Sequence, residues 1–290
     1  MARTLCLAIV ALLAALPRPT QADPPKLPVT RNLVLWLKAD AGVETAEGSD
    51  RVTRWADQTA TGSPIGDRAS QDATAPSEAA RPALAQSAPN GGPAVRFDGK
   101  DDRLGFTRPI NGLGQLTLFI VAANTASQEP SWAAHHHAAM GWRHTGHWGI
   151  YGLSPFQETV AARFATAMYD GAAVYARPSS IGSAFSITAS RKNGTTHELF
   201  VGGRKVWSCI LSAPTIQNTS DRGSLGCIDD GNRATGFYQG DIAEVLVYTA
   251  ALSDADRGAA EQYLASKWMS RGRPSPGPVR QPIRTEGTGK

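Results

Sequence analysis

Apolar positions along the chain fall in short dense runs, not at helical spacing. Residues 33–37 (LVLWL), 94–97 (AVRF), 116–122 (LTLFIVA) and 242–248 (IAEVLVY) are the densest. Short apolar and β-branched runs bounded by turn residues predict buried strands. Residues 52–56 add a short candidate carrying Trp55, and 147–153 and 160–169 add two with less apolar weight. Residues 185–190 alternate Phe185, Ile187 and Ala189 with polar neighbours, the period of a half-buried strand. Asn193-Gly194 follows, a pair that accepts positive φ at both central turn positions and so predicts a tight hairpin. Residues 199–201 and 205–207 flank Gly202-Gly203 and predict a second. In 242–248 one face carries Ile242, Glu244, Leu246 and Tyr248, the other Ala243, Val245 and Val247. A single carboxylate interrupts two apolar faces, so the strand is expected to be buried on both sides, with Glu244 requiring a partner. Trp36, Trp55, Trp207 and Trp268 lie inside these patterns and are expected in the core.

One segment changes period. Residues 253–268 (SDADRGAAEQYLASKW) place Leu264 and Trp268 four apart, with Ala260 and Tyr263 beside them. Ser253 and Asp256 have capping-box spacing, with Asp in place of the usual Glu, and Asp254 and Asp256 favour the positive end of the helix dipole. Residues 57–93 are rich in Ala, Ser, Thr, Pro, Gly and Asp and predict a long surface excursion. Many short strands, frequent turn signals and one terminal helix favour an all-β sandwich over an α/β fold. There is no internal repeat.

Composition then bounds the class. The net charge of +4 sits at the ends: Arg271, Arg273, Arg280, Arg284 and Lys290 against Glu286 in the tail, and Arg3 and Arg18 at the start. The body is mildly acidic and offers no electrostatic reason to bind nucleic acid. Residues 1–22 have the layout of a secretory signal: a basic start, an apolar run over 5–16, and small residues around Ala22. That run falls short of the roughly 20 residues a bilayer span needs, and no later run reaches it, so the mature chain is expected to carry no transmembrane span. This places the protein outside the cytoplasm, as secreted, extracellular or periplasmic/cell-envelope. Residues 23–30 read as an extended lead-in, 31–269 as the sandwich, and 270–290 as a disordered basic Pro/Gly-rich tail. Two cysteines remain beyond the signal, Cys209 and Cys227, and an oxidising compartment predicts a disulfide between them. Asn193-Gly194-Thr195 and Asn218-Thr219-Ser220 fit the glycosylation sequon.

Several segments together resemble the laminin-G-like jelly-roll domains of the concanavalin A-like group. They are LVLWLKADAGV at 33–43, the Trp55-Ala56-Asp57-Gln58 segment, a polar stretch ending near Arg81-Pro82, GGPAVRFDGKDDRL at 91–104, and GDIAEVLVYTAALSDADRGAAEQYLASKW at 240–268. The resemblance implies a two-sheet jelly roll of about a dozen strands. Relatives of this kind include glycan binders, protein-binding modules and some glycanases, so the fold alone does not choose a function. Some bind calcium at the rim of the sandwich.

Candidate chemistry is sparse. Retaining glycanases need two carboxylates roughly 5 Å apart, and no Glu-x-Asp-x-Glu pattern is present. Asp241 and Glu244 are three apart, which on a regular strand puts them on opposite faces. There is no HExxH, Walker A loop, GxGxxG or Gly-x-Ser-x-Gly. Five of the six histidines fall in 132–148 beside Trp132, Trp142 and Trp148. Histidines here suggest a metal, but no ligand spacing is specific, and His135, His136 and His137 cannot all face one ion from a strand. A glycan site is the alternative, with Trp142 or Trp148 stacking on a sugar and His144 or His147 donating hydrogen bonds. Solvated histidines and core tryptophans are the plain reading. Asp229, Asp230 and Asn232 offer oxygen ligands that would suit calcium, and Asp98, Asp101 and Asp102 do the same; both groups are also ordinary turn material. Three functions follow: a secreted non-catalytic domain binding carbohydrate or glycoconjugate, a protein-interaction or structural module of the cell envelope, and a divergent glycan hydrolase.

Overall fold

The computed structural model describes residues 25–59, 71–126, 138–144, 150–155, 160–162, 174–176, 183–217, 219–229 and 234–269. The strands are β1 (Leu33–Lys38), β2 (Val43–Thr45), β3 (Val52–Trp55), β4 (Ala73–Thr74), β5 (Ala83–Ala85), β6 (Ala94–Asp98), β7 (Leu104–Thr107), β8 (Gln115–Asn124), β9 (Met140–His144), β10 (Ile150–Pro155), β11 (Val160–Ala162), β12 (Val174–Ala176), β13 (Ser186–Asn193), β14 (Thr196–Val201), β15 (Arg204–Ile210), β16 (Thr219–Leu225), β17 (Ile228–Asp229), β18 (Ala234–Thr235) and β19 (Gln239–Tyr248). Helix α1 (Asp254–Leu264) continues into a wider turn over Ala265–Met269.

These strands form an all-β sandwich of two antiparallel sheets. One runs β15-β14-β13-β8-β19-β6-β5, with β1 also paired to β19; the other runs β12-β11-β10-β9-β16-β7-β4-β3-β2. β17 and β18 make a separate small hairpin. The long central strands β8 and β19 are buried along almost their whole length, as their unbroken apolar runs predict. β10 of the second sheet packs over β8 and β13 of the first.

The two expected hairpins form. In β13–β14 Asn193 pairs with Thr196, so the central turn residues are Gly194 and Thr195, and positive φ appears at Gly194 (56°) and not at Asn193. The turn needs one left-handed residue, and it takes the glycine. In β14–β15 both Gly202 and Gly203 have positive φ. The excursion over 57–93 holds two short strands: β4 lies inside the second sheet between β7 and β3, and β5 ends the first sheet beside β6.

α1 covers the outer face of the first sheet. Its start is the expected cap: Ser253 accepts the Asp256 N–H through its side chain. Glu244 finds its partners here. The carboxylate is fully buried and accepts from Trp36 Nε1 (2.7 Å), Tyr263 Oη (2.9 Å), Lys267 Nζ (2.8 Å) and Trp268 Nε1 (2.6 Å). The other end of α1 is seated by Arg191 of β13, which pairs with Asp254 as well as with Glu198 of β14, and by Arg257, which pairs with Glu261 within the helix and donates to the Gly203 carbonyl at 3.3 Å.

No disulfide joins Cys209 to Cys227. The expectation of a bridge is corrected by topology: Cys209 lies on β15, an edge of the first sheet, and Cys227 follows β16 in the second. Proximity in sequence does not bring them together, because the chain crosses between sheets over the intervening residues.

Candidate functional site

β7, β9 and β16 are neighbours in the second sheet, with β16 in the middle. Trp142 of β9 and Phe106 of β7 both sit opposite Gly223 of β16. A Cβ at Gly223 would overlap the Phe106 ring, so the glycine lets the two aromatic rings meet edge to face at 5.6 Å. Trp142 is fully buried and its indole N–H donates to the Arg108 carbonyl at 2.8 Å. Its ring is therefore part of the core, which corrects its candidacy as a sugar-stacking platform. His144 ends β9 with its backbone opposite Thr219; its side chain, His147 and Trp148 lie outside the described residues, as do His135, His136 and His137.

Beyond Phe106 the chain leaves β7 at Arg108, whose N–H donates to the Asp221 carbonyl. Its side chain is 4% exposed and lies 3.7 Å from Asp57 Oδ2. Asp57 follows β3 in the Trp55-Ala56-Asp57-Gln58 segment and ties that segment to β1, accepting from the Trp36 N–H (2.9 Å), the Thr59 N–H (3.0 Å) and the Thr59 hydroxyl (2.8 Å). Gln58 returns the tie by donating its N–H to the Trp36 carbonyl. Burial pushes the Asp57 carboxyl upward, against the pull of these donors, and burial lowers Arg108 despite the Asp57 charge.

The acidic turn after β6 is built on itself. Asp98 Oδ1 accepts from Lys100 N and Asp101 N, and Asp102 Oδ2 accepts from Asp98 N. Carboxylate oxygens of Asp98, Asp101 and Asp102 lie within 4.8 Å of one another. Burial, then the negative charge of Asp98, pushes Asp102 up to about 6. Arg51 stands 3.5 Å from its other oxygen. At the second acidic candidate, Asp229 ends β17 with Arg103 3.8 Å away, while Asp230 and Asn232 lie outside the described residues.

Two features escape periodicity. A β-bulge between Ile242 and Glu244 adds one residue, so Asp241 opposite Ala123 and Glu244 opposite Val121 share a face, contrary to the regular-strand expectation. They still make no catalytic pair: Asp241 is held by both Arg96 Nε (2.7 Å) and Nη2 (2.9 Å), and Glu244 by its four donors beneath the helix. Ser190 Oγ and His197 Nε2 are 2.8 Å apart on β13 and β14. Both are fully buried, and burial pushes His197 down to about 3, so the imidazole is neutral and the pair is a core hydrogen bond that substrate does not reach.

No protein-family model matches the chain, and no curated protein matches it. Solved structures do. A Trypanosoma rangeli sialidase in complex with sialic acid has a TM-score of 0.53 at 12% identity, over 83% of this chain and 34% of that one. The same sialidase in complex with 2,3-difluoro-KDN has a TM-score of 0.53 at 14% identity, over 86% and 36%. The binding domain of Paraclostridial Mosquitocidal Protein 1 has a TM-score of 0.54 at 10% identity, over 81% and 52%. The chain thus spans about a third of the sialidase and about half of the binding-domain chain. At these identities the likeness is one of fold.

Proposed function

We propose that this chain is an exported, non-catalytic recognition domain for carbohydrate or glycoconjugate, built on a laminin-G-like jelly roll. The observation that carries the reading is the sandwich itself. Its counterparts above a TM-score of 0.5 include parts of a sialidase in complex with sialic acid and in complex with 2,3-difluoro-KDN. The signal-like residues 1–22 support export. The two carboxylates that the bulge puts on one face are both consumed by structural partners, which favours recognition over hydrolysis. Among the described residues Ile210, 73% exposed, is the large apolar side chain open to solvent, so a contiguous apolar docking patch does not favour the protein-interaction reading.

A glycan array at physiological salt, with and without calcium, tests the proposal. The expected result is selective binding to a subset of glycans. Absence of binding at millimolar sugar, together with capture of a cell-envelope protein, would overturn it in favour of the interaction module.

A further inference from the structure

We propose that Asn111 is the first residue of the folded protein to lose ammonia, by ring closure onto Gly112. This chemistry is independent of what the chain binds. The sequence holds three Asn-Gly pairs, Asn90-Gly91, Asn111-Gly112 and Asn193-Gly194, and the structure describes all of them. Glycine has no Cβ to shield its backbone nitrogen. That nitrogen gives its proton to solvent base and bonds to the Asn Cγ. The Cγ–Nδ2 bond breaks, and the leaving nitrogen takes up a proton and departs as ammonia. Water then opens the cyclic imide at either carbonyl, leaving aspartate or isoaspartate.

The dipeptide is the same at all three positions, so the fold sets the order. In each pair the glycine N–H donates to a carbonyl: Gly91 to Ala88 (2.8 Å), Gly112 to Ile216 (2.7 Å) and Gly194 to Gly114 (2.8 Å). The attacking nitrogen is thus held alike in each, and the carboxamide decides. Asn90 is half-buried and held at both ends. Its Nδ2, the leaving group, donates to the Lys267 carbonyl at 2.8 Å, and its Oδ1 accepts the Gly92 N–H at 2.7 Å. Asn193 ends β13 and pairs on both sides, with Thr196 of β14 and Gln115 of β8, and its Oδ1 accepts from Gln115 Nε2 at 3.1 Å. Ring closure there requires both pairings to open.

Asn111 has neither restraint. It is exposed on the turn between β7 and β8. Its Oδ1 meets the Thr219 N–H at 3.3 Å and the Thr219 hydroxyl at 3.4 Å, both beyond the usual hydrogen-bond range. Its Nδ2 makes no hydrogen bond among the described residues. The product would act on β16. Gly112 donates to the Ile216 carbonyl and Leu113 accepts the Ile216 N–H, a clasp that lies just ahead of Thr219 at the start of β16. Isoaspartate puts the Asn111 Cβ into the main chain at that clasp.

Peptide mapping by mass spectrometry, after incubation at mildly alkaline pH, reads the amide-to-acid conversion at each site. In urea the three rates should agree within about twofold, because the fold that distinguishes them is gone. In the folded protein Asn111 should convert about tenfold faster than Asn90 or Asn193, the worth of one net hydrogen bond. Asn111→Ser should remove the first product and leave the rates at Asn90 and Asn193 unchanged. Equal rates at the three sites in the folded protein, or Asn90 or Asn193 converting first, would overturn the proposal. Folded rates that match those in urea would overturn it too, since reaction would then pass through global unfolding. If Asn111→Ser fails to fold, the wild-type rates decide.

Discussion

Asp102 carries a stored penalty that pH can release. Its carboxylate is 1% exposed and faces Asp98 and Asp101, and burial with like charge raises its pKa from 3.8 to about 6. A carboxyl raised in the folded state binds its proton more tightly there than in the unfolded chain. Its contribution to stability is complete below the unfolded value, near pH 4, and is lost as pH rises through 6. At pH 7 the cost is about 3 kcal/mol. Asn keeps an acceptor for the Asp98 N–H and sheds the charge, at the expense of the long contact to Arg51, which is itself 41% exposed. Asp102→Asn should therefore raise the melting temperature at pH 7.5 and lose that gain by pH 4.5. Circular-dichroism melts across that range read it as a difference between variant and wild type. The subtraction matters because His197, pushed down to about 3, works with the opposite sign: its buried neutral ring costs stability as pH falls below about 6.5. An equal increment at both pH values would remove Asp102 as the source.

Helix α1 is attached to the sheet through one carboxylate more than through its own helix-forming tendency. Glu244 joins Trp36 of β1 to Tyr263, Lys267 and Trp268, and Lys267 is itself only 8% exposed. Glu244→Gln puts an NH2 donor among donors that need an acceptor and leaves the Lys267 charge with Asp40 but without its buried counterion. Breaking a buried pair in this way costs about 3 kcal/mol or more. For a chain of this size that lowers the melting temperature by roughly 10 °C, and the near-ultraviolet signal of Trp36 and Trp268 should lose intensity. A second change, Lys267→Met, should recover part of the loss; a Glu244→Gln variant that melts like wild type would show that α1 is held by its apolar contacts alone. The need for such partners was legible in the sequence, since a lone Glu in 242–248 has no other way to be buried. So were β8, β19 and the β13–β15 hairpins, whose dense runs and glycine pairs report burial and turns directly. β16 was not. Its sequence TSDRGSL is polar, and it becomes a strand because β7 and β9 pair with both its edges and Gly223 makes room for Phe106. The bulge at 242–244 and the approach of Arg108 to Asp57, 51 residues apart, are likewise products of tertiary pairing that no local period encodes.

Across the whole molecule, what binds one sheet to the other is packing. Buried side chains from both sheets form one apolar cluster, including Leu35, Ile120 and Val245 with Trp55, Leu104, Phe106 and Trp142. A covalent tie between the sheets would have to join Cys209 to Cys227, and the fold keeps these cysteines in different sheets. A disulfide closing that segment would contribute roughly 3 kcal/mol in the loop-entropy model, or roughly 6–12 °C of melting temperature at this size. The structure predicts the opposite outcome: melting curves with and without a reductant such as tris(2-carboxyethyl)phosphine should coincide within about 1 °C, a small part of the shift a disulfide would give. The thiols should also differ in reactivity. Cys227 is buried and its thiol is pushed up to about 12, chiefly by burial, so it holds little thiolate at pH 8. Cys209, half-buried on an edge strand, should be alkylated first by iodoacetamide, and Cys227 only once the sandwich unfolds. Protection of both thiols until reductant is added would mean that the sheets are bridged. The topology that separates β15 from β16 would then be wrong at the point where the chain passes between sheets.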